Sequence, residues 1–284
     1  MTPKERMEKT HNTLIDKYQS EPEIYNFIRD FFILKKGLRP FVIQKRFPKK
    51  IAPLRYFPSE SKRMLFFNEF NTDILRFYKG QLHFLECIFD ERIKDMDFLE
   101  QERKTANVPG DIFNQCVIGI NPCIEIDYHI KGSTIFDKYK EAIYLKCLIE
   151  EKIEEMGFKS NSIFSGNGFY TVVKSYYFEE LNNTLDDIKK NMGEFKNKKN
   201  REMKKKFKTK PIPLIDTAFE TIWSKYHKIP FTYHNKYNRV SLPISNGEVD
   251  KDYLKTISNF DNFINLNTNE INSIIHKANW REIW

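Results

Sequence analysis

Cysteine is scarce, with four residues in 284: Cys87, Cys116, Cys123 and Cys147. No pair has C-x-x-C spacing, which argues against a zinc ribbon or a disulfide framework and fits a reducing, intracellular compartment. No apolar run approaches the roughly 18 residues that a membrane span needs. The opening MTPKERMEKTHNTLIDKY carries no apolar core of a signal peptide. No membrane partner is therefore expected. The G-K-[ST] ending of a phosphate-binding P-loop is missing. So are internal repeats and the regular βαβ alternation of a doubly wound sheet, which removes solenoids and leaves a mixed α+β fold.

Aromatic residues are plentiful: 25 Phe and 14 Tyr can fill a core and leave rings for stacking on bases. The formal charge of +8 suits a polyanionic partner, although it also serves solubility. Apolar spacing predicts helix over 11–36, broken at Ser20–Pro22, then a proline-rich loop region over 37–62. Strand-like runs follow at 64–70, 73–80, 82–90 and 117–128, then a helix over 135–157. Short strands at 162–164 and 169–173 flank Ser165-Gly166-Asn167-Gly168. The stretch 176–210 reads as helical, and 11 of the 22 residues from Lys189 to Lys210 are basic. A last helix is expected at 268–280.

Three patterns carry chemistry. In Cys123-Ile124-Glu125-Ile126-Asp127, a strand period of two puts both carboxylates on one face and both isoleucines on the other. Paired carboxylates repel each other, and divalent cations relieve that repulsion. On spacing alone, a solvated edge strand is the commoner reading. Asp216 ends a short apolar run and supplies a third acid, or else caps a helix. The glycine turn at 165–168 can expose amides to a phosphate or can be an ordinary hairpin. From Lys225 to Arg239, basic and aromatic residues interleave, as suits a triphosphate and its base.

Residues 213–244, PLIDTAFETIWSKYHKIPFTYHNKYNRVSLPI, resemble the small catalytic subunit of archaeal and eukaryotic DNA primases. That family has a metal-binding aspartate, then a helix, then K-x-P-F-S-x-H-x-K-x-G-R and a V-x-P-I strand. Asp216, Lys228, Pro230, Phe231, His234, Lys236 and Arg239 fall at matching places. Glu125-Ile126-Asp127 resembles the family's D-I-D, Ser165-Gly166-Asn167-Gly168-Phe169-Tyr170 its S-G-x-G-x-H, and Arg63-Met64-Leu65-Phe66-Phe67 its R-E-F-x-F. The similarity covers about 61–90 and 117–245. It departs at Glu125 for Asp, at Tyr170 for His, in lacking a zinc motif and in a short insertion before Asp216, as in a compact, divergent member.

The resemblance implies a mixed-sheet primase-type core at 61–245 with a basic helical insertion at about 176–210. A helical and loop segment at 1–60 and a helical segment at 246–284 would flank it. It further implies template-dependent nucleotidyl transfer from NTPs or dNTPs on single-stranded DNA. A large primase subunit, a helicase or a polymerase are the candidate protein partners. Glu125, Asp127 and Asp216 would hold two Mg²⁺ or Mn²⁺ ions, with no structural zinc. Ser165, Gly166, Gly168, Tyr170, Lys228 and His234 would hold the nucleotide, with Lys236, Arg239 and Arg63 lining the same cleft. The competing expectation is a non-catalytic primase-like subunit that binds nucleic acid or scaffolds a partner.

Overall fold

The structure is a computed structural model and describes residues 3–32, 34, 36–39, 41–44, 62–65, 81–94, 116–128, 130, 132–174, 176–180, 184–207, 211–216, 226–234 and 236–280. Most of the runs expected at 64–70 and 73–80 lies outside the described residues, as does the Arg63 side chain. The fold is mixed α+β. Helices α1 (Pro3–Ser20) and α2 (Pro22–Phe32) open it, parted at Glu21. Proline at the first position of α2 needs no hydrogen-bond partner there, so a new helix starts where the first one stops.

Among the described residues, four strands follow in chain order: β1 (Phe41–Gln44), β2 (Lys62–Leu65), β3 (Gln81–Leu85) and β4 (Cys87–Phe89). The run expected as one strand over 82–90 is two, belonging to different sheets, with Glu86 at the break. Glu86 accepts a backbone bond from Asn121 where the chain changes sheet. Apolar residues on both sides of Glu86 conceal that change in the sequence.

Strands β5 (Val117–Ile120) and β6 (Cys123–Asp127) lead to helix α3 (Tyr139–Glu155). A hairpin, β7 (Ser160–Phe164) and β8 (Phe169–Val173), comes next. Residues 176–210 are not helical throughout: β9 (Tyr176–Tyr177) precedes helix α4 (Thr184–Lys206). Then come β10 (Leu214–Asp216), β11 (Tyr226–Lys228), β12 (Tyr233–His234), β13 (Arg239–Val240) and β14 (Leu242–Ile244). Beyond them lie α5 (Lys251–Ser258), α6 (Phe260–Ile264) and α7 (Thr268–Ala278). Only α7 was expected from apolar spacing. The two shorter helices are marked instead by their caps, Asp250 accepting from the Tyr253 amide and Asn259 from those of Asp261 and Asn262.

The central antiparallel sheet has the order β10-β6-β8-β7-β14. A second sheet has the order β11-β3-β1-β2. Ile124 and Ile126 of β6, with Ile215 of β10, are buried. Helix α3 packs on this sheet and buries Ala142, Leu145, Ile149 and Ile153 at helical spacing. Two charges enter the same layer. The wholly buried Lys146 pairs with Glu150 at 2.8 Å and donates to the carbonyls of Ser245 and Gly247. Glu150 also accepts from the Ser162 hydroxyl and the Gly247 amide. Every partner in this knot, which joins α3, β7 and the loop after β14, is satisfied from several sides. Lys146→Ala strands a buried carboxylate and two carbonyls, so a loss of about 3–5 kcal/mol is expected in urea unfolding.

Candidate active site

β6 and β10 pair antiparallel with Glu125 opposite Asp216. Opposed residues on neighbouring strands share a face about 5 Å apart, and Asp127 lies two residues along on the same face. Three acids separated by up to 91 positions (216 − 125) are thereby gathered. One carboxylate oxygen from each lies within 4.8 Å of the other two. Glu125 and Asp127 are half-buried and Asp216 is exposed, so the cluster opens to solvent. Hard oxygen donors at this separation fit Mg²⁺ or Mn²⁺.

The edge strand β10 is held by the basic helix. The Asn200 side chain of α4 both donates to and accepts from the Ile215 backbone, at 2.9 Å each way. Lys196 of α4 reaches Asp216 at 3.7 Å. In the sequence, this lysine-rich segment offers a template-tracking role or a solvated face. In the structure, part of it supports the strand that carries the third acid.

The glycine turn lies beside the acids. Ser165 donates its amide to the Gly168 carbonyl, closing the β7–β8 hairpin. Asn167 locks the turn, its amide oxygen accepting from the Ile135 amide and its nitrogen donating to the Tyr128 carbonyl. Gly166 has φ +99°, and a Cβ there would sit 2.7 Å from the His234 Cβ. A Cβ on Gly168 would meet the Ile126 carbonyl of β6 at 2.6 Å. Glycine at both positions thus lets the turn close against His234 on one side and the carboxylate strand on the other.

Tyr170 is opposite Glu125 on β8 and is buried. Burial above all, then the Glu125 carboxylate, pushes its phenol up, which keeps it a neutral donor. Lys228 ends β11, half-buried by accessible surface though densely enclosed by protein. Desolvation brings its ammonium down to about 8 against the opposing pull of Glu125 and Asp127. Lys236 is exposed, with its ammonium over the Tyr237 ring. The Arg239 guanidinium faces the C-terminal helices. It donates to the Lys255 carbonyl and the Ser258 hydroxyl and lies 4.4 Å from the Phe136 ring centre.

Two neighbours of the acids are assigned no role by the sequence. His227 is buried, with Nδ1 3.2 Å from Glu125 Oε1 and Nε2 2.6 Å from Glu86 Oε1. Burial alone would lower its pKa, but the surrounding acidic groups raise it well above the ordinary value. The Cys123 thiol beside it is itself pushed up by burial. His227 lies inside the basic and aromatic run from Lys225 to Arg239, where only the lysine after it is assigned a role. Glu86 looked like one polar residue in a strand.

No family model and no curated protein matches the chain. Among solved structures, it is similar to the polymerase domain of Mycobacterium tuberculosis Ligase D in complex with DNA. The two share 10% identity over 95% of this chain and 90% of that one, with a TM-score of 0.45. Among the described residues, no helix is long and apolar enough to cross a membrane.

Proposed function

We propose that the chain is a template-dependent nucleotidyltransferase of the primase–polymerase kind, making primers from NTPs or dNTPs on single-stranded DNA. The observation that carries this reading is the convergence of Glu125, Asp127 and Asp216 within 4.8 Å on one sheet face. A glycine turn and the Lys228 ammonium lie next to them. Reactions of this class need divalent cations between an attacking 3′-hydroxyl and a triphosphate. When bound, such ions lower the hydroxyl's pKa and neutralise the pyrophosphate that leaves.

The chain's own groups take the remaining roles. The three carboxylates would hold the cations. Lys228 and the glycine-turn amides offer positive potential to the triphosphate without moving during reaction. Ser165 and His234 flank the turn and can orient the same phosphates. Lys236, Arg239 and Arg63 are proposed for the outer cleft. For Arg239, that role competes with its bonds to Lys255 and Ser258.

The test is direct. Purified protein is incubated with single-stranded DNA, labelled NTPs or dNTPs, and Mn²⁺. A ladder of short products is expected, and EDTA should remove it. Tight DNA binding with no product under either nucleotide set would instead support a non-catalytic binding or scaffold subunit.

A further inference from the structure

Glu125 has one more rotatable bond than an aspartate and sits on a strand whose partner, β10, is an edge. To act as a ligand it must be held in one rotamer, and side-chain entropy opposes that. His227 does the holding. Its ring is wedged between aromatic neighbours, Tyr170 with ring centres 5.0 Å away at 67° and Phe84 at 5.6 Å. One ring nitrogen reaches Glu125 and the other reaches the buried carboxylate of Glu86.

Glu86 is placed by the main chain at the point where residues 81–89 pass from one sheet to the next, and its backbone carbonyl is tied to Asn121. The second sheet, through His227 on β11, therefore meets the central sheet, through Glu125 on β6, by a carboxylate–imidazole–carboxylate chain whose solvent end is a proposed metal ligand. We infer that Glu86 and His227 form a positioning pair that fixes the Glu125 carboxylate for divalent-cation binding. Ligand-orienting partners of this kind contribute about 10–100-fold to metal affinity.

The same neighbourhood offers another chemistry, since Glu86, Cys123 and His227 together present oxygen, sulfur and nitrogen donors. Distance decides between the two. Oxygen and nitrogen ligands on one tetrahedral zinc lie about 3.3 Å apart, given bonds of about 2.0–2.1 Å. His227 Nε2 and Glu86 Oε1 are 2.6 Å apart, the separation of two atoms sharing a proton.

This inference rests on the metal-binding reading of Glu125, Asp127 and Asp216, so the experiment measures binding separately from synthesis. Mn²⁺ is titrated into the full chain and followed by electron paramagnetic resonance, with folding checked by circular dichroism. Wild type should bind and Asp127→Ala should not. His227→Leu should weaken binding by about 10–100-fold. An asparagine amide nitrogen can take the place of imidazole Nδ1, whereas glutamine reaches only the Nε2 position. His227→Asn should therefore recover most of the loss and His227→Gln should not. In the Glu125→Asp background the shorter arm no longer reaches His227, so His227→Leu should add little.

Wild-type Mn²⁺ affinity in folded His227→Leu or His227→Gln overturns the inference while leaving the metal cluster standing. So does one tightly held zinc per chain that His227→Leu releases. If His227→Leu does not fold, equal affinities for the Asn and Gln variants overturn it. If wild type does not bind Mn²⁺, or Asp127→Ala binds it equally well, the metal reading itself falls and takes this pairing with it.

Discussion

Asp127→Ala is expected to lower dinucleotide formation and primer extension by about 10³-fold or more while leaving the protein folded. The activity loss follows from charge stabilisation: a misplaced cation forfeits several kcal/mol in the transition state, and about 1.4 kcal/mol is a factor of ten. Retained folding follows from position. Asp127 is on the open face of β6, half-buried and away from the Ile124–Ile126 side that packs under α3. Removing one of three clustered negative charges also relieves repulsion, so the change in stability should stay within about 0.5 kcal/mol. Asp216→Ala should behave alike, because its side chain is 53% exposed and its ion pair with Lys196, at 3.7 Å, is of the weak surface kind. Primer synthesis at the wild-type rate by either variant, with divalent cation present, would remove the nucleotidyl-transfer assignment.

How much of this was legible in the sequence depends on the range of the contact concerned. The period of two in 123–127 is local, and β6 places Glu125 and Asp127 on one face as that period predicts. The α1–α2 break, α3 and the β7–β8 hairpin are local as well, written in proline, helical spacing and glycine. The approach of Asp216 to Glu125 is not local. It depends on which strand pairs with which, and a chain of 284 residues allows many pairings. The sequence offers Asp216 as a third acid or as a helix cap, and only the resemblance to a family favours the first.

His227 and Glu86 were missed for the same physical reason. Glu86 is one carboxylate in a mostly apolar run and His227 one of several polar residues in a basic, aromatic stretch, and nothing in either neighbourhood distinguishes a site from a satisfied core group. The only sequence hint is a buried-type charge at Glu86 in an otherwise apolar run, since a lone carboxylate needs a partner when enclosed. The loss of continuity at that residue likewise turned one expected strand into two.

Lys228→Met should separate stability from function in opposite directions. Nucleotide binding should weaken by about 10–100-fold, the worth of a lost charge-assisted contact, and appear mainly as a raised KM. The folded state should nevertheless become more stable by about 1–2 kcal/mol near pH 7. Desolvation outweighs the pull of Glu125 and Asp127 and brings the lysine down to about 8, so keeping the ammonium charged there costs free energy. At face value the shift corresponds to a few kcal/mol, but the side chain still meets the open cleft, so solvent screening reduces it. The pH dependence has a definite sign. Below about 8 the lysine is protonated both folded and unfolded, and the full penalty applies. As pH rises from there toward the ordinary lysine value, the folded chain releases the proton first and the penalty fades. The advantage of methionine in thermal melts should therefore be largest below pH 8 and shrink above it. Methionine that destabilises the chain across this range would show that Lys228 is held by compensating contacts. It would then not be a charge kept at a cost for a ligand.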